Sequence, residues 1–364
     1  MTDVLIAGGG PAGSVLAILL GRQGRTVELF ERAVFPRDKP CGEGLMPAGV
    51  AVLDRLGLRE AVGGRPFGGI RYHFGDQVAE GRFPGGAFGL AQRRTVLDRI
   101  LFEEAARTPG VAAHTGVPVD GPILERRRVR GLMVGGRPRY ARLVVAADGA
   151  RSAIRRALGI DLEPKRRRIG LRRHFRLRTP LATPFVEVFL AANCELYVAP
   201  LPAHEVLVAA LADGRAVAGL PRRLFESWWR SQPELARWLD GAAAVSELRG
   251  AYPLEARARR GVGPGFVLLG DAAGFIDPIT GGGLAQALVS AELLAQMMPP
   301  DLDSDESWLW RFERARKRML RPYRVLTRVM LWLSAHRTAA QQGLSLVRAR
   351  PGLFSRLLAT AAGD

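Results

Sequence analysis

Two cysteines in 364 residues exclude a disulfide framework and a four-cysteine metal site, and no bound metal is expected. No stretch reaches the roughly 18 uninterrupted apolar residues of a membrane span. Lysine is nearly missing. Lys39, Lys165 and Lys317 are the whole set, so the formal charge of +18 rests almost entirely on arginine. Heavy use of Arg, Ala and Gly together reflects GC-rich coding more than a function. A basic chain suits nucleic acid or an anionic membrane surface. No nucleic-acid module is recognisable, so nucleic acid is not an expected partner. The start does not read as a signal peptide, because Asp3 comes early and the apolar run breaks at a Gly-rich turn. A cytoplasmic protein is expected, soluble or peripheral to a membrane. Internal repeats and low-complexity tracts are absent too. A hydrophobic content of 48% with 24% charged residues is ordinary for a globular chain of one or two joined domains.

What is present begins at once. Val4 to Ala7 is a short apolar run fit for a buried parallel strand. Gly8, Gly10 and Gly13 then give G-x-G-x-x-G spacing, and from Pro11 through Ala12 the pattern turns helical, Pro suiting a first helical turn. Gly8 allows the tight turn, Gly10 the approach of backbone to a pyrophosphate, and Gly13 close helix–strand packing. The helix N-terminus offers free N–H groups to phosphate. A second apolar strand, Thr26 to Phe30, ends at Glu31, where an acidic residue binds ribose hydroxyls. The plain alternative is a strand–helix–strand unit with an incidental Glu.

The next segment, Arg32 to Leu45, holds two prolines and two glycines and reads as a loop. Of its three basic residues, Arg32 and Lys39 are the candidates to face a pyrophosphate; a solvated loop is the bland reading. A helix follows from Pro47 to Leu56, closed by Gly57. The G-x-G-x-x-G start, the acidic strand end and the Lys39-Pro40-Cys41-Gly42-Glu43-Gly44 loop resemble flavoprotein monooxygenases and geranylgeranyl-reductase-type flavoproteins. The resemblance implies FAD as the bound nucleotide, with Cys41 and Gly42 beside the flavin.

Further along, Gly69–Phe74 and Val78–Phe83 read as paired strands. Arg94 opens a helix with the R-x-x-L-D sequence whose Arg, in the same flavoproteins, contacts the cofactor; a cation at a helix start is otherwise slightly unfavourable. Val117, at the end of a strand, has backbone groups to offer an adenine. Asp148-Gly149-Ala150-Arg151-Ser152-Ala153-Ile154-Arg155 resembles the D-G-x-x-S-x-x-R motif of flavoprotein hydroxylases. Asp148 is assigned to the cofactor site, in a largely architectural role, since Asp and Ser fix turns by side-chain-to-backbone bonds.

After Gly159 the composition shifts to strands that suggest an antiparallel sheet. Then Phe266 to Leu269, Gly270-Asp271 and a Gly-rich loop to Leu284 match the family's G-D-A-A-x-x-x-x-P-x-x-G-x-G residue by residue. Asp271 is suited to accept from ribityl hydroxyls. The helix N-terminus at Gly282 and Gly283, after Pro278, faces the flavin's polar edge. Gly274 stands where many aromatic hydroxylases have His. The Trp-x-Trp-x-Ile-Pro signature of flavin halogenases is absent.

The expected architecture is α/β, with a Rossmann-like FAD-binding domain (1–160 and 257–300), an inserted antiparallel β-sheet substrate domain (161–256) and C-terminal helices (301–364). The expected activity is FAD-dependent monooxygenation of an apolar aromatic or polyketide-like substrate. NAD(P)H is the transient reductant, and O2 adds at the flavin C4a position. The alternatives are a geranylgeranyl-reductase-like flavoprotein that saturates isoprenoid double bonds, and a non-enzymatic membrane-surface protein. His174 and Tyr197, on strands expected to cover the ring, are the candidates to orient or deprotonate substrate; Cys41 is a candidate proton donor. The basic, amphipathic tail is either a helix packed on the flavin domain or a peripheral membrane contact.

Overall fold

The computed structural model describes residues 2–192, 194–217, 221–303 and 305–362. Two large sheets organise it. The first runs, in spatial order, Val262–Gly263, Phe266–Leu268, Arg137–Ala146, Thr2–Ala7, Val27–Glu31, Val111–Thr115. Thr2–Ala7 is central and parallel to both neighbours, with Ala7 opposite Phe30 on one side and Ala146 on the other. Its Val4-Leu5-Ile6-Ala7 run is buried, as a strand covered on both faces requires. Helices Pro11–Arg22 and Gly283–Met297 pack against each other on one face. A hairpin with its turn at Gly135-Gly136 extends Arg137–Ala146.

The second sheet is mostly antiparallel. Arg168–Arg176, Glu205–Asp213, Cys194–Pro200 and Phe185–Leu190 are consecutive neighbours. Gly69–Phe74 then adds in parallel to Phe185–Leu190, with Gln77–Arg82 at the edge. Residues 69–82 fall inside the range expected for the first domain, yet they pair here. The pairing places Ile70 beside Val186 and Tyr72 beside Val188 and covers an otherwise open strand edge. The pairing spans more than a hundred residues, so local patterning carries no trace of it.

The tail is four helices: Ser307–Met319, Arg321–Ala335, Arg337–Ala349 and Pro351–Ala362. It is not a separate unit. Glu313 accepts from the Gly261 amide at 3.2 Å, and the Phe354 ring meets Tyr72 at 5.8 Å between centroids. Among the described residues no helix is long and apolar enough to cross a membrane.

Candidate active site

The first Gly-rich turn is built by close approach. Gly8 has φ +104°, and a Cβ there would lie 2.3 Å from the Ala147 carbonyl oxygen. A Cβ on Gly13 would lie 2.0 Å from the Gly8 oxygen, so only glycine lets the helix start so near the strand. The Pro11–Arg22 helix has no side-chain cap and no acidic residue in its first turn. Its Ala12 and Gly13 amides are therefore left for a ligand. Glu31 is buried at the strand end and accepts from the Gly9 and Ala33 amides, each at 3.0 Å. The Val117 amide is spent on the Glu31 carbonyl at 3.0 Å, leaving Val117 its carbonyl alone.

Of the loop cations, Arg32 is solvent-exposed. Arg37, not singled out from the sequence, is the buried one. Its Nη2 lies 3.1 Å from Asp98 and 3.6 Å from Glu31, and a Cβ on Gly10 would meet it at 3.3 Å. Its Nε and Nη1 are buried without a protein partner. Lys39 reaches between the two halves of the site, its Nζ 3.4 Å from where a Gly149 Cβ would be. Burial lowers its pKa, as do Arg37 and Arg94, while Glu31 and Asp271 raise it.

Arg94 opens its helix as expected, but its guanidinium is clasped by Asp98 one turn on, at 2.6 and 2.7 Å. Burial alone lowers Arg94, and the facing Asp98 carboxylate, with Cys41, more than reverses it. Arg94 thus holds Asp98 and the Cys41 loop in place. The Cys41 sulfur accepts from the Glu43 amide at 3.3 Å, and burial pushes the thiol pKa up. Gly42, next in the chain, is exposed.

His174 does not face an open substrate space. It is buried, with Nε2 2.8 Å from Glu43 Oε2 and Nδ1 2.9 Å from Ser246 Oγ. Both ring nitrogens are engaged, so it fastens the Cys41–Glu43 loop to the second sheet. Glu43 completes the clasp: it has φ +57°, unusual for a non-glycine, and its Oε1 accepts from the Arg94 amide at 3.0 Å. Tyr197 is half-buried and likewise has a partner. Its hydroxyl donates to the Ile279 carbonyl at 2.9 Å, which positions the second Gly-rich loop.

That second loop leaves strand Phe266–Leu268 through Gly270, which abuts Ala12 of the first turn. Arg155 ties this second loop to the turn that follows Asp148: its guanidinium donates to the Ala272 carbonyl at 2.9 Å and the Ala150 carbonyl at 2.7 Å. Asp148 caps the short helix at Ala153–Ala157 through Oδ2, 2.8 Å from the Ala153 amide, while its Oδ1 is buried without a partner. Among the described residues nothing donates to the Asp271 carboxylate. Burial raises its pKa against the pull of Lys39, Arg94 and Arg155. Beyond the turn at Pro278, Gly282 lies under the Tyr323 ring, and Gly283 and Leu284 open a long helix with no side-chain cap. Asp277 anchors the loop by accepting from the Ile279 amide at 3.0 Å and pairing with Arg168 at 3.2 Å. Burial pushes Asp277 up to about 6.

The donor set fits a dinucleotide carrying a polar ring at one end. Two uncapped helix starts, a buried guanidinium with unpartnered nitrogens and an undonated, half-buried carboxylate lie along one seam. Glu43, Asp98 and Arg155 were present in quoted motifs, but nothing in those motifs said which side chains they clasp.

Comparison with known proteins agrees. The model of a family described as an FAD binding domain matches residues 1–321. A menaquinone reductase of Mycolicibacterium smegmatis is 30% identical over 345 residues, covering 85% of this chain and 79% of that protein. A digeranylgeranylglycerophospholipid reductase of Thermoplasma acidophilum is 25% identical, covering 84% of this chain and 79% of that one. A squalene epoxidase of Aspergillus fumigatus is 28% identical, covering 82% and 66%. Among solved structures, a flavoprotein/dehydrogenase from Cytophaga hutchinsonii shares the fold, with TM-score 0.83 at 22% identity over 100% of this chain and 93% of that one. With two Gly-rich turns, an acidic strand end and a guanidinium left open between them, the chain belongs to the FAD binding domain family and is an FAD-dependent oxidoreductase.

Proposed function

We propose that this chain reduces carbon–carbon double bonds in an isoprenoid lipid, with NAD(P)H as the reductant. The observation that carries this reading is the Cys41 thiol. Burial keeps it protonated, and its loop leads into the Pro47–Leu56 helix. That helix packs on the start of Gly283–Met297, where a Gly49 Cβ would lie 3.0 Å from Ala285 Cα. Bound FAD, once reduced, supplies a hydride equivalent. The protein must then deliver a proton to the second carbon. Cys41 Sγ holds that proton, and Arg94 stands beside it to stabilise the thiolate left behind. Glu31, Arg37, Lys39 and Asp271 would hold the cofactor, with the Ala12, Gly13 and Gly283 amides. Glu43 and His174 keep the Cys41 loop in register with the second sheet.

The relatives named for menaquinone, digeranylgeranylglycerophospholipid and squalene all take their names from isoprenoid lipids, which supports an apolar substrate of that class. A second reading, oxygen insertion into such a substrate with NAD(P)H and O2, is favoured by the epoxidase match over 82% of the chain. The two separate cleanly. Holoenzyme, NAD(P)H and a menaquinone or geranylgeranyl lipid are incubated under 18O2. A product two hydrogens heavier, formed equally well without oxygen, is expected. Incorporated 18O with stoichiometric oxygen uptake overturns reduction in favour of the second reading.

A further inference from the structure

The helix Arg321–Ala335 has two faces with different tasks. Its inner face belongs to the site: Tyr323 covers Gly282, Thr327 Oγ1 lies 3.0 Å from Thr280 Oγ1, and Leu331 packs with Ile279. Its outer face leaves Val325 50%, Val329 47% and Trp332 55% exposed. Spacings of four and seven residues put all three on one side of the helix. Arg321 and Arg328 are exposed along the same side, and Arg324 is exposed on its flank. Among the described residues no carboxylate is within ion-pair range of these three arginines. Partial burial lowers the pKa of Arg324, and so does crowding by Arg316 and Arg328, with Glu313 opposing.

The surrounding surface has the same character. Between Ser307 and Ala362 the single acidic residue is Glu313, which is buried against Arg316 and Lys317. Arg311, Arg314, Arg318, Arg337, Arg348, Arg350 and Arg356 are exposed over the four tail helices. A solvated face of this composition holds its arginines apart with interleaved Glu or Asp; here Glu313 alone offsets their repulsion. Tryptophan and valine amid arginines, without carboxylates, is the composition of a helix that lies in the plane of an anionic bilayer surface.

We infer that the outer face of Arg321–Ala335 docks on an anionic lipid bilayer, with Trp332, Val325 and Val329 entering the headgroup boundary and Arg321, Arg324 and Arg328 meeting lipid phosphates. Docking stands on this surface alone and holds whichever reaction the site performs. Its consequence is positional: the same helix walls the 278–283 loop, so a lipid-borne substrate meets the site at the interface.

The test is co-sedimentation of the full-length holoenzyme with vesicles of phosphatidylcholine alone or with one third phosphatidylglycerol, at low and high salt. Binding to the anionic vesicles that weakens with salt, and little binding to neutral ones, is expected. Removing two arginines in R321Q/R328Q should weaken partitioning about 30-fold, roughly a factor of five for each. W332S/V329S should weaken it by at least tenfold. Retained flavin absorbance and an unchanged Tm establish that each variant is folded. Equal partitioning onto neutral vesicles, or none onto anionic ones at low salt, overturns the inference. So does a loss in R321Q/R328Q with none in W332S/V329S, which marks a generic polyanion site in place of a bilayer contact.

Discussion

Arg37 offers the sharpest test of how the cofactor is held. In Arg37→Gln the anions it touches keep their other partners. Asp98 retains the two bonds from Arg94 at 2.6 and 2.7 Å, and Glu31 retains the Gly9 and Ala33 amides at 3.0 Å. The apoprotein should therefore fold, with a loss of about 1–3 kcal/mol for the missing charge. What the variant cannot replace is a pair of guanidinium nitrogens, Nε and Nη1, that have no protein partner. A charge-assisted bond is worth about 1.5–3 kcal/mol, so losing even one and part of the second costs about 3 kcal/mol of binding. That is roughly a hundredfold in Kd. Apoprotein titrated with FAD, followed by quenching of flavin fluorescence, reads it directly. Arg37→Lys should fall between, because a point charge lacks the fork. A Kd within threefold of wild type for Arg37→Gln, at a reduced Tm, would show that Arg37 serves the fold and leaves the phosphates to others.

Four further outcomes are expected. Gly13→Ala drives a Cβ to 2.0 Å from the Gly8 oxygen and should abolish flavin uptake, whereas Gly121→Ala, in open space, should purify yellow. Cys41→Ser should leave FAD reduction by NAD(P)H unchanged and slow product formation at least tenfold; equal single-turnover rates would remove the thiol from the proton path. Glu43→Gln weakens the clasp on His174 by about 1.5–3 kcal/mol, lowering Tm without changing FAD affinity. For Asp277, the folded pKa of about 6 stands above the ordinary 3.8, so the folded state binds the proton more tightly. Its contribution is fully present below about pH 4 and is lost as pH rises through 6, amounting to about 2–3 kcal/mol. In Asp277→Asn that fall should vanish from the difference between urea denaturation at pH 4 and pH 7, while an amide oxygen still serves Ile279.

The motifs were legible because their physics is local. Gly13 reports a turn whose own backbone, the Gly8 oxygen, leaves no room for a Cβ, and Pro11 and Pro47 stand at the first positions of their helices. Glu31 is readable from its distance along a strand–helix–strand unit. The partners of His174 and Tyr197 were not legible. Periodicity puts each on a strand of the second sheet but says nothing of what faces it from a loop 131 residues away, or from one 82 residues away. Arg37 and Arg32 look alike in the chain, and the tertiary fold buries one against Asp98 and Glu31 and exposes the other.

The sequence by itself determined a dinucleotide site and the two turns that hold it, with FAD implied by the family resemblance, since glycine spacing and a helix start led by Pro or Gly are properties of a few consecutive residues. Tertiary structure decided what surrounds the reactive end. It paired 69–82 with the second sheet, gave His174 and Tyr197 their partners in the Glu43 and Ile279 loops, and split Arg321–Ala335 into a face that walls the loop and an exposed face. Those assignments rest on pairings between residues 47 to 131 apart and on which of two like charges finds a buried carboxylate, and such choices are settled only when the whole core closes.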